Sequence, residues 1–82
     1  MKEQIKNFLT INNLIPDNLK DKMTYDLDLI ENSIIESFNI INLVVFLEQE
    51  YHIKFEPRDM AAHYFKSINT IEQLIVKKQQ NE

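Results

Sequence analysis

Apolar residues recur at helical spacing at the start of the chain. In an α-helix, side chains three or four positions apart share one face. One side of the first segment is formed by Met1, Ile5, Phe8, Leu9 and Asn12. The pattern predicts a first helix that ends between Asn13 and Pro16.

The helical period breaks between Ile15 and Glu36. Pro16, Asp17 and Asn18 are typical of a turn, and the apolar residues that follow have no sustained helical spacing. A loop longer than about 12 residues is uncommon in a compact domain and usually has a function. Because apolar residues are scattered along it, we expect this loop to pack against the core.

A second helix is predicted from Ser37, whose hydroxyl can cap a helix, to Tyr51. This helix has two apolar stripes. The first consists of Ile40, Leu43, Val44, Leu47 and Tyr51, and the second of Phe38, Ile41 and Val45, with Asn42, Glu48 and Gln49 around it. The first stripe is a normal core face. The second is typical of a surface for a transient partner, unless the long loop covers it.

Two more helices are predicted in the last third of the chain. Pro57 suits the first turn of a short helix that runs through Tyr64, and Ser67 is a candidate N-cap for a last helix. The buried side of the last helix is Ile68, Ile71, Leu74 and Ile75. We therefore expect an all-α fold: a small four-helix bundle of three longer helices and one short helix, with a long loop between helices one and two, in a single domain over residues 1–82.

The amino-acid composition excludes several classes of protein and of binding site. A chain of 82 residues that is 44% hydrophobic can form one domain with one core. Thirteen acids against nine bases give a net charge of −4, so a nucleic-acid backbone is repelled and a basic partner is expected. The absence of Cys excludes disulfides and thiolate sites, and the absence of Gly excludes the usual phosphate-binding loops.

The sequence favours a cytoplasmic protein that does not insert into a membrane. The first residues include Glu3 and Gln4, where a signal peptide needs an apolar run, and no later stretch approaches about 20 apolar residues. An enzyme is not expected. His52 and His63 are eleven residues apart, which is not the spacing of a zinc helix. We assign no catalytic or metal site, and we interpret Lys66, Lys77 and Lys78 as solvated side chains at helix ends.

Ser37 is the candidate for modification. It stands at the predicted N-terminus of helix two, directly after the long loop, where backbone amides and the helix dipole favour a negatively charged group. A phosphate ester on its hydroxyl would be stabilised there. An ordinary N-cap serine would occupy the same position, so position alone leaves both interpretations open.

Several segments resemble the acyl carrier protein family, which includes peptidyl and aminoacyl carrier domains. Segment 29–38 (LIENSIIESF), followed by segment 43–53 (LVVFLEQEYHI), is similar to the family's approach to helix two and to that helix itself. In that family, a triplet similar to Asp-Ser-Leu opens helix two. The matching triplet here is Glu36, Ser37 and Phe38. Segments 57–60 and 65–71 resemble the third helix and the start of the fourth, and segment 5–9 (IKNFL) resembles the start of free-standing carriers. The similarity covers essentially the whole chain.

The resemblance implies that Ser37 carries 4′-phosphopantetheine, transferred from coenzyme A by a separate phosphopantetheinyl transferase. The thiol of this arm would hold an acyl or aminoacyl group as a thioester, and the chain itself would catalyse nothing. The carrier would be a monomer, and its partners would be enzymes of fatty-acid, polyketide or related secondary-metabolite biosynthesis whose own basic patches dock on it. The docking residues would be Glu36, Phe38, Ile41, Val45 and Glu48.

Two questions stay open at this point. The cargo can be fatty acyl, polyketide, aminoacyl or D-alanyl, because carriers of all four share the fold and the serine. The alternative function is a helical adaptor that binds a partner through the second stripe of helix two (Phe38, Ile41 and Val45) and carries no prosthetic group. The core stripe of helix two would surround any space that shelters an acyl chain, together with Phe8, Ile53, Phe55, Ile68 and Ile71, although plain core packing explains the same residues.

The chain departs from the family pattern at three places. Glu36 replaces the usual Asp before the serine, which lengthens the acidic arm. Ser33 and His52 stand where Gly is common, and we expect positive φ angles at both. Asn42 and Gln49 occupy positions that are often acidic. The remaining acidic rim would be Glu36, Glu48, Glu50, Glu56 and Asp59.

Overall fold

The described part of the chain forms three α-helices joined by segments that contain short 3₁₀-helices. The structure is a computed structural model that describes residues 1–36 and 39–80. The α-helices are α1 (Lys2–Ile11), α2 (Ile40–Tyr51) and α3 (Ile68–Gln80), and the 3₁₀-helices are Asp17–Lys22, Pro57–Met60 and Ala62–Phe65. Within the described residues there is no β-strand. The expected all-α class is confirmed for this part of the chain.

Helix α1 buries the apolar face that its spacing predicts. Ile5 and Leu9 are fully buried, and the ring of Phe8 stacks on Phe46 of α2 with 4.7 Å between centroids. The helix ends at Ile11, slightly earlier than predicted. Asn13 has a left-handed backbone, with a φ of 56°.

A Schellman motif explains the early end of α1. The Leu14 amide donates to the Leu9 carbonyl at 3.0 Å, and the Asn13 amide donates to the Thr10 carbonyl at 3.1 Å. This pair of bonds satisfies carbonyl groups that the last helical turn leaves without partners. The left-handed residue also turns the chain out of the helix axis.

The long segment between α1 and α2 packs against the core, as expected. Its described residues include the 3₁₀-helix Asp17–Lys22 and the buried side chains of Ile15, Met23, Leu29, Ile34 and Ile35. Two backbone hydrogen bonds fix the segment to the start of α3. The Asn69 amide donates to the Tyr25 carbonyl at 3.0 Å, and the Leu29 amide donates to the Lys66 carbonyl at 2.7 Å.

One hydrophobic core connects all three α-helices and this segment. Its fully buried members include Ile5, Leu29, Leu47, Phe65 and Ile75, each with 0% of its surface exposed. Burial on this scale contributes roughly 2 kcal/mol per large side chain and offsets the entropy that the chain loses on ordering. The core thus holds the long segment in place together with the backbone hydrogen bonds of its turns.

The predicted third helix is wrong in detail. Two 3₁₀-helices replace a continuous helix over 57–64, because Ala61 between them has an extended backbone with a ψ of 140°. The Asp59 amide donates to the Glu56 carbonyl at 2.8 Å, and the Asp59 carboxylate accepts a hydrogen bond from the Glu56 amide, also at 2.8 Å. These local bonds favour one tight turn over a longer helix.

In the described ranges, no helix combines the length and the apolar character that a membrane crossing requires.

Candidate functional site

The candidate site centres on the start of α2 and the residues before it. The helix begins at Ile40, and its N-cap is Asn39, two positions after the predicted N-cap Ser37. Ser37 and Phe38, the predicted attachment and docking residues, lie outside the described residues. The site is therefore defined structurally by Glu36 on one side and by Asn39 and α2 on the other.

Asn39 links the segment before α2 to the helix. Its side chain is buried, its Oδ1 atom accepts a hydrogen bond from the Glu36 amide at 2.7 Å, and its Nδ2 atom donates to the Ile34 carbonyl at 3.4 Å. The Asn39 and Ile40 amides both donate to the Glu36 carbonyl at 3.0 Å. These four bonds fix the position of Glu36 relative to α2, although the Asn39 side chain makes no capping bond to the first turn of the helix.

The two stripes of α2 differ sharply in exposure. Leu43 and Leu47 of the first stripe are 1% and 0% exposed, whereas Ile41 and Val45 of the second stripe are 62% and 45% exposed. Ile40, Val44 and Tyr51 of the first stripe are half-buried. The interpretation in which the long loop covers the second stripe is thus wrong for Ile41 and Val45. One turn apart, these two residues present an apolar surface to solvent.

The acidic residues around this surface have different surroundings. Glu36 and Glu50 are exposed. Glu48 is half-buried, and its carboxylate accepts a hydrogen bond from the Phe55 amide at 2.8 Å. Glu56 is paired with Arg58, with 2.8 Å between Oε2 and Nε. Glu48 thus also fixes the chain that follows α2.

Asp59 is not part of an exposed acidic rim, which corrects the prediction. Its side chain is 9% exposed, and its Oδ2 atom lies 2.6 Å from the Lys78 Nζ atom. Burial alone would raise the pKa of Asp59, but the hydrogen bonds from Lys78 and from the Glu56 amide, with the charges of Lys78 and Arg58, outweigh burial and lower this pKa.

Lys78 also differs from the prediction of a solvated lysine. Its side chain is only 16% exposed, because it lies against the core to reach Asp59, and its Nζ atom is 5.8 Å from the centroid of the Phe55 ring. Lys66 and Lys77 are exposed, as predicted.

Two residues with a left-handed backbone conformation flank the site. Both were predicted to have positive φ because Gly is common at these positions in the family that the sequence resembles. Ser33 has a φ of 57° and His52 has a φ of 56°. His52 is the C-cap residue of α2, where a left-handed residue is a common helix end. Side chains with a Cβ atom occupy this region at a cost, so both positions carry local backbone strain.

The cavity of about 570 Å³ in this fold is not lined by the residues expected to surround an acyl chain. It lies between the chain after α2 and the end of α3, and charged side chains dominate its wall. The shelter of an acyl chain by the core stripe stays a prediction. Within the described ranges, no cluster of three or more metal-ligating side chains occurs, and His52 and His63 are both exposed.

Asn39 is the residue of this site that sequence reasoning missed. An Asn directly before the apolar run of α2 is itself a strong N-cap candidate, so its residue type was the available signal. The pair of Asp59 and Lys78 had no such signal, because 19 positions separate the two residues in the sequence.

No model of a known protein family matches the chain, and no curated protein matches it. The residues around Ser37 and the geometry of α2 are the features that bear on function.

Proposed function

We propose that the protein is a single-domain carrier that holds acyl or aminoacyl intermediates as thioesters on a 4′-phosphopantetheine arm attached to Ser37. The helices would form the four-helix bundle of such carriers, with the 3₁₀-helices after α2 in the place of the short helix. The partners would be a phosphopantetheinyl transferase and the loading and processing enzymes of fatty-acid, polyketide or related biosynthesis.

The observation that carries the proposal is the exposure of Ile41 and Val45. They lie four and eight positions after Ser37 on a helix whose opposite face is fully buried at Leu43 and Leu47. Apolar burial contributes about 25 cal/mol per Å². Because the exposed patch consists of only two side chains, its burial supports weak binding to a partner. Weak binding suits a carrier, which has to leave one enzyme before it reaches the next.

The start of α2 is also electrostatically suited to a phosphodiester. The first turn of the helix contains no acidic residue, so no carboxylate there offsets the positive end of the helix dipole; the nearest acid before it is Glu36, next to Ser37 in sequence. Exposed Glu36 and Glu50 lie near the apolar pair in sequence, and the chain has a net charge of −4. These charges would steer basic patches of partner enzymes and allow release at physiological salt.

In this mechanism, the Ser37 hydroxyl is esterified once, and the chain afterwards positions the arm without taking part in the thioester chemistry. The arm, once installed, supplies the thiol that forms the thioester. Asn39 fixes the backbone of Glu36 relative to α2 through its buried side chain. Ile41 and Val45 would present a docking surface beside the attachment point, together with Phe38, Glu36 and Glu48.

The intact mass of the chain after co-expression with a broad-specificity phosphopantetheinyl transferase tests this proposal. The wild type should gain one phosphopantetheine, and Ser37→Ala should gain none. Ser33→Gly is the matched control, because it removes a nearby hydroxyl and suits the positive φ at that position. It should be modified like the wild type.

The alternative is a helical adaptor that uses the same exposed apolar pair without a prosthetic group. A folded wild-type chain that stays unmodified beside an active transferase would favour the adaptor and contradict the carrier.

A further inference from the structure

A cleft between the chain that follows α2 and the last turns of α3 contains four basic side chains, although the protein as a whole is acidic. It has a volume of about 570 Å³ and is lined by Lys54, Glu56, Arg58, Asp59, Tyr64, Leu74, Lys77 and Lys78. Four of the nine basic residues of the chain line it, against two of the 13 acids. The lining therefore has a net charge of +2, while the whole chain has −4.

Both acids of the cleft are already bonded to cations. Asp59 pairs with Lys78 at 2.6 Å, and Glu56 pairs with Arg58 at 2.8 Å. Neither acid forms a salt bridge with Lys54, which follows α2, or with Lys77, which lies in the last turn of α3. The charges of these two exposed lysines are thus available to a ligand.

The dipole of α3 reduces this positive charge but does not cancel it. Lys77 and Lys78 lie in the last turn, where the helix dipole is equivalent to roughly −0.5 of an elementary charge. That is about a quarter of the net charge of the lining, so the cleft still attracts an anion.

A second cavity of about 220 Å³ continues the cleft. It shares Tyr64, Leu74 and Lys77 with the first cavity and adds His63, Thr70 and Gln73. The rings of His63 and Tyr64 lie 4.1 Å apart between centroids. This second part offers ring faces and hydrogen-bonding side chains and includes only one of the lysines, so it suits the body of a ligand more than its charged head.

We propose that this cleft binds a small organic phosphate. Its anionic head would lie between Lys54 and Lys77, and its body would lie against Tyr64 in the second cavity. The volume of the first cavity falls within the range of roughly 300 to 1,000 Å³ that is usual for small-molecule sites. The proposal is independent of the carrier function, because it uses none of the residues around Ser37.

Amide NMR titration of the unmodified full chain with ADP, pyrophosphate and adenosine tests the proposal. ADP and pyrophosphate should produce saturable shifts at the amides of residues 54–56, of Arg58 and of residues 74–78, and adenosine alone should not. The double variant Lys54→Gln/Lys77→Gln should bind ADP at least about tenfold more weakly, because charge-assisted bonds to the phosphate are lost. Lys78 is left intact because it supports the fold through Asp59.

The matched control is Lys20→Gln/Lys22→Gln, which removes two charges from exposed lysines of the first 3₁₀-helix. It should bind ADP like the wild type. The proposal is overturned if neither ADP nor pyrophosphate produces saturable shifts, or if both double variants weaken binding equally, which indicates only general attraction to lysines. Ser37→Ala should bind ADP normally, so failure here and failure of the carrier proposal are distinguishable.

Discussion

The Nζ atom of Lys78 lies 2.6 Å from the Oδ2 atom of Asp59, and both side chains are largely withdrawn from solvent. This ion pair joins the end of α3 to the 3₁₀-helix Pro57–Met60, across 19 positions of sequence. Asp59 also accepts a hydrogen bond from the Glu56 amide. The last turn of α3 is thereby fixed to the chain that follows α2.

Loss of Lys78 should strongly destabilise the fold. Lys78→Met keeps most of the apolar stem but leaves the Asp59 carboxylate buried without its cation, which costs about 3 kcal/mol. Domains of this size have a free energy of unfolding of roughly 5 to 10 kcal/mol, so urea denaturation should show a large shift of the midpoint. Arg58→Gln is the control. Its pair with Glu56 is exposed, and its loss should cost less than about 1 kcal/mol.

Stability should fall at acidic pH because of Asp59. Its pKa is lower in the folded chain than in the unfolded chain, so the unfolded chain binds a proton at higher pH. The stabilisation is essentially complete above about pH 5, where the folded and the unfolded chain have both lost this proton, and it is lost as pH falls through the folded-state pKa. In urea denaturation between pH 2 and pH 6, Asp59→Asn should flatten this dependence.

Asp17→Asn is the comparison for the pH experiment. A hydrogen bond from Lys20, together with its charge, also lowers the pKa of Asp17, but the Asp17 side chain is 96% exposed. Solvent screens this pair, so the variant should keep the pH dependence of the wild type. An equal loss of pH dependence in both variants would contradict the role of Asp59.

Glycine at the two strained positions should stabilise the chain. Ser33→Gly and His52→Gly each relieve a positive φ, and the gain should be about 0.5 to 1 kcal/mol after the added entropy of the unfolded chain is subtracted. Asn13→Gly is the comparison, since Asn tolerates a left-handed backbone better. Thermal unfolding should rank it below the other two, and a lower melting temperature for Ser33→Gly or His52→Gly would disprove the argument.

Substitutions in the exposed stripe of α2 should affect docking without affecting the fold, whereas substitutions in its buried stripe should affect the fold. Val45→Asp should impair transfer from a loading enzyme while helical circular dichroism stays nearly unchanged, because Val45 is 45% exposed. Leu47→Asp, at a fully buried position two residues away, should instead abolish the folded spectrum. If Val45→Asp also unfolds the chain, Val45 belongs to the core and not to a docking surface.

Sequence periodicity predicted those parts of the fold in which packing follows local pattern. The faces of α1 and α3 at Ile5, Leu9, Ile71 and Ile75 are buried as their spacing requires. The positive φ at Ser33 and His52 was predicted by the resemblance to a family with Gly at these positions.

The remaining features depend on contacts between distant segments, which a local pattern does not contain. Ala61 interrupts the predicted third helix, and Asp59 finds its cation on α3. The start of α2 depends on the buried side chain of Asn39 and its bonds to Glu36 and Ile34. Asp59 and Lys78 were predicted to be exposed because they are charged, and charged residues are usually exposed unless they are paired.

The most direct measurement of the central claim is the fragment mass spectrum of the peptide that contains Ser37, taken from protein purified from cells in which carrier proteins are modified. The carrier account predicts a phosphopantetheine ester on the Ser37 oxygen, and unmodified peptides for Ser33 and Ser67. A Ser37 peptide without the ester, from cells in which other carriers bear it, would contradict the account.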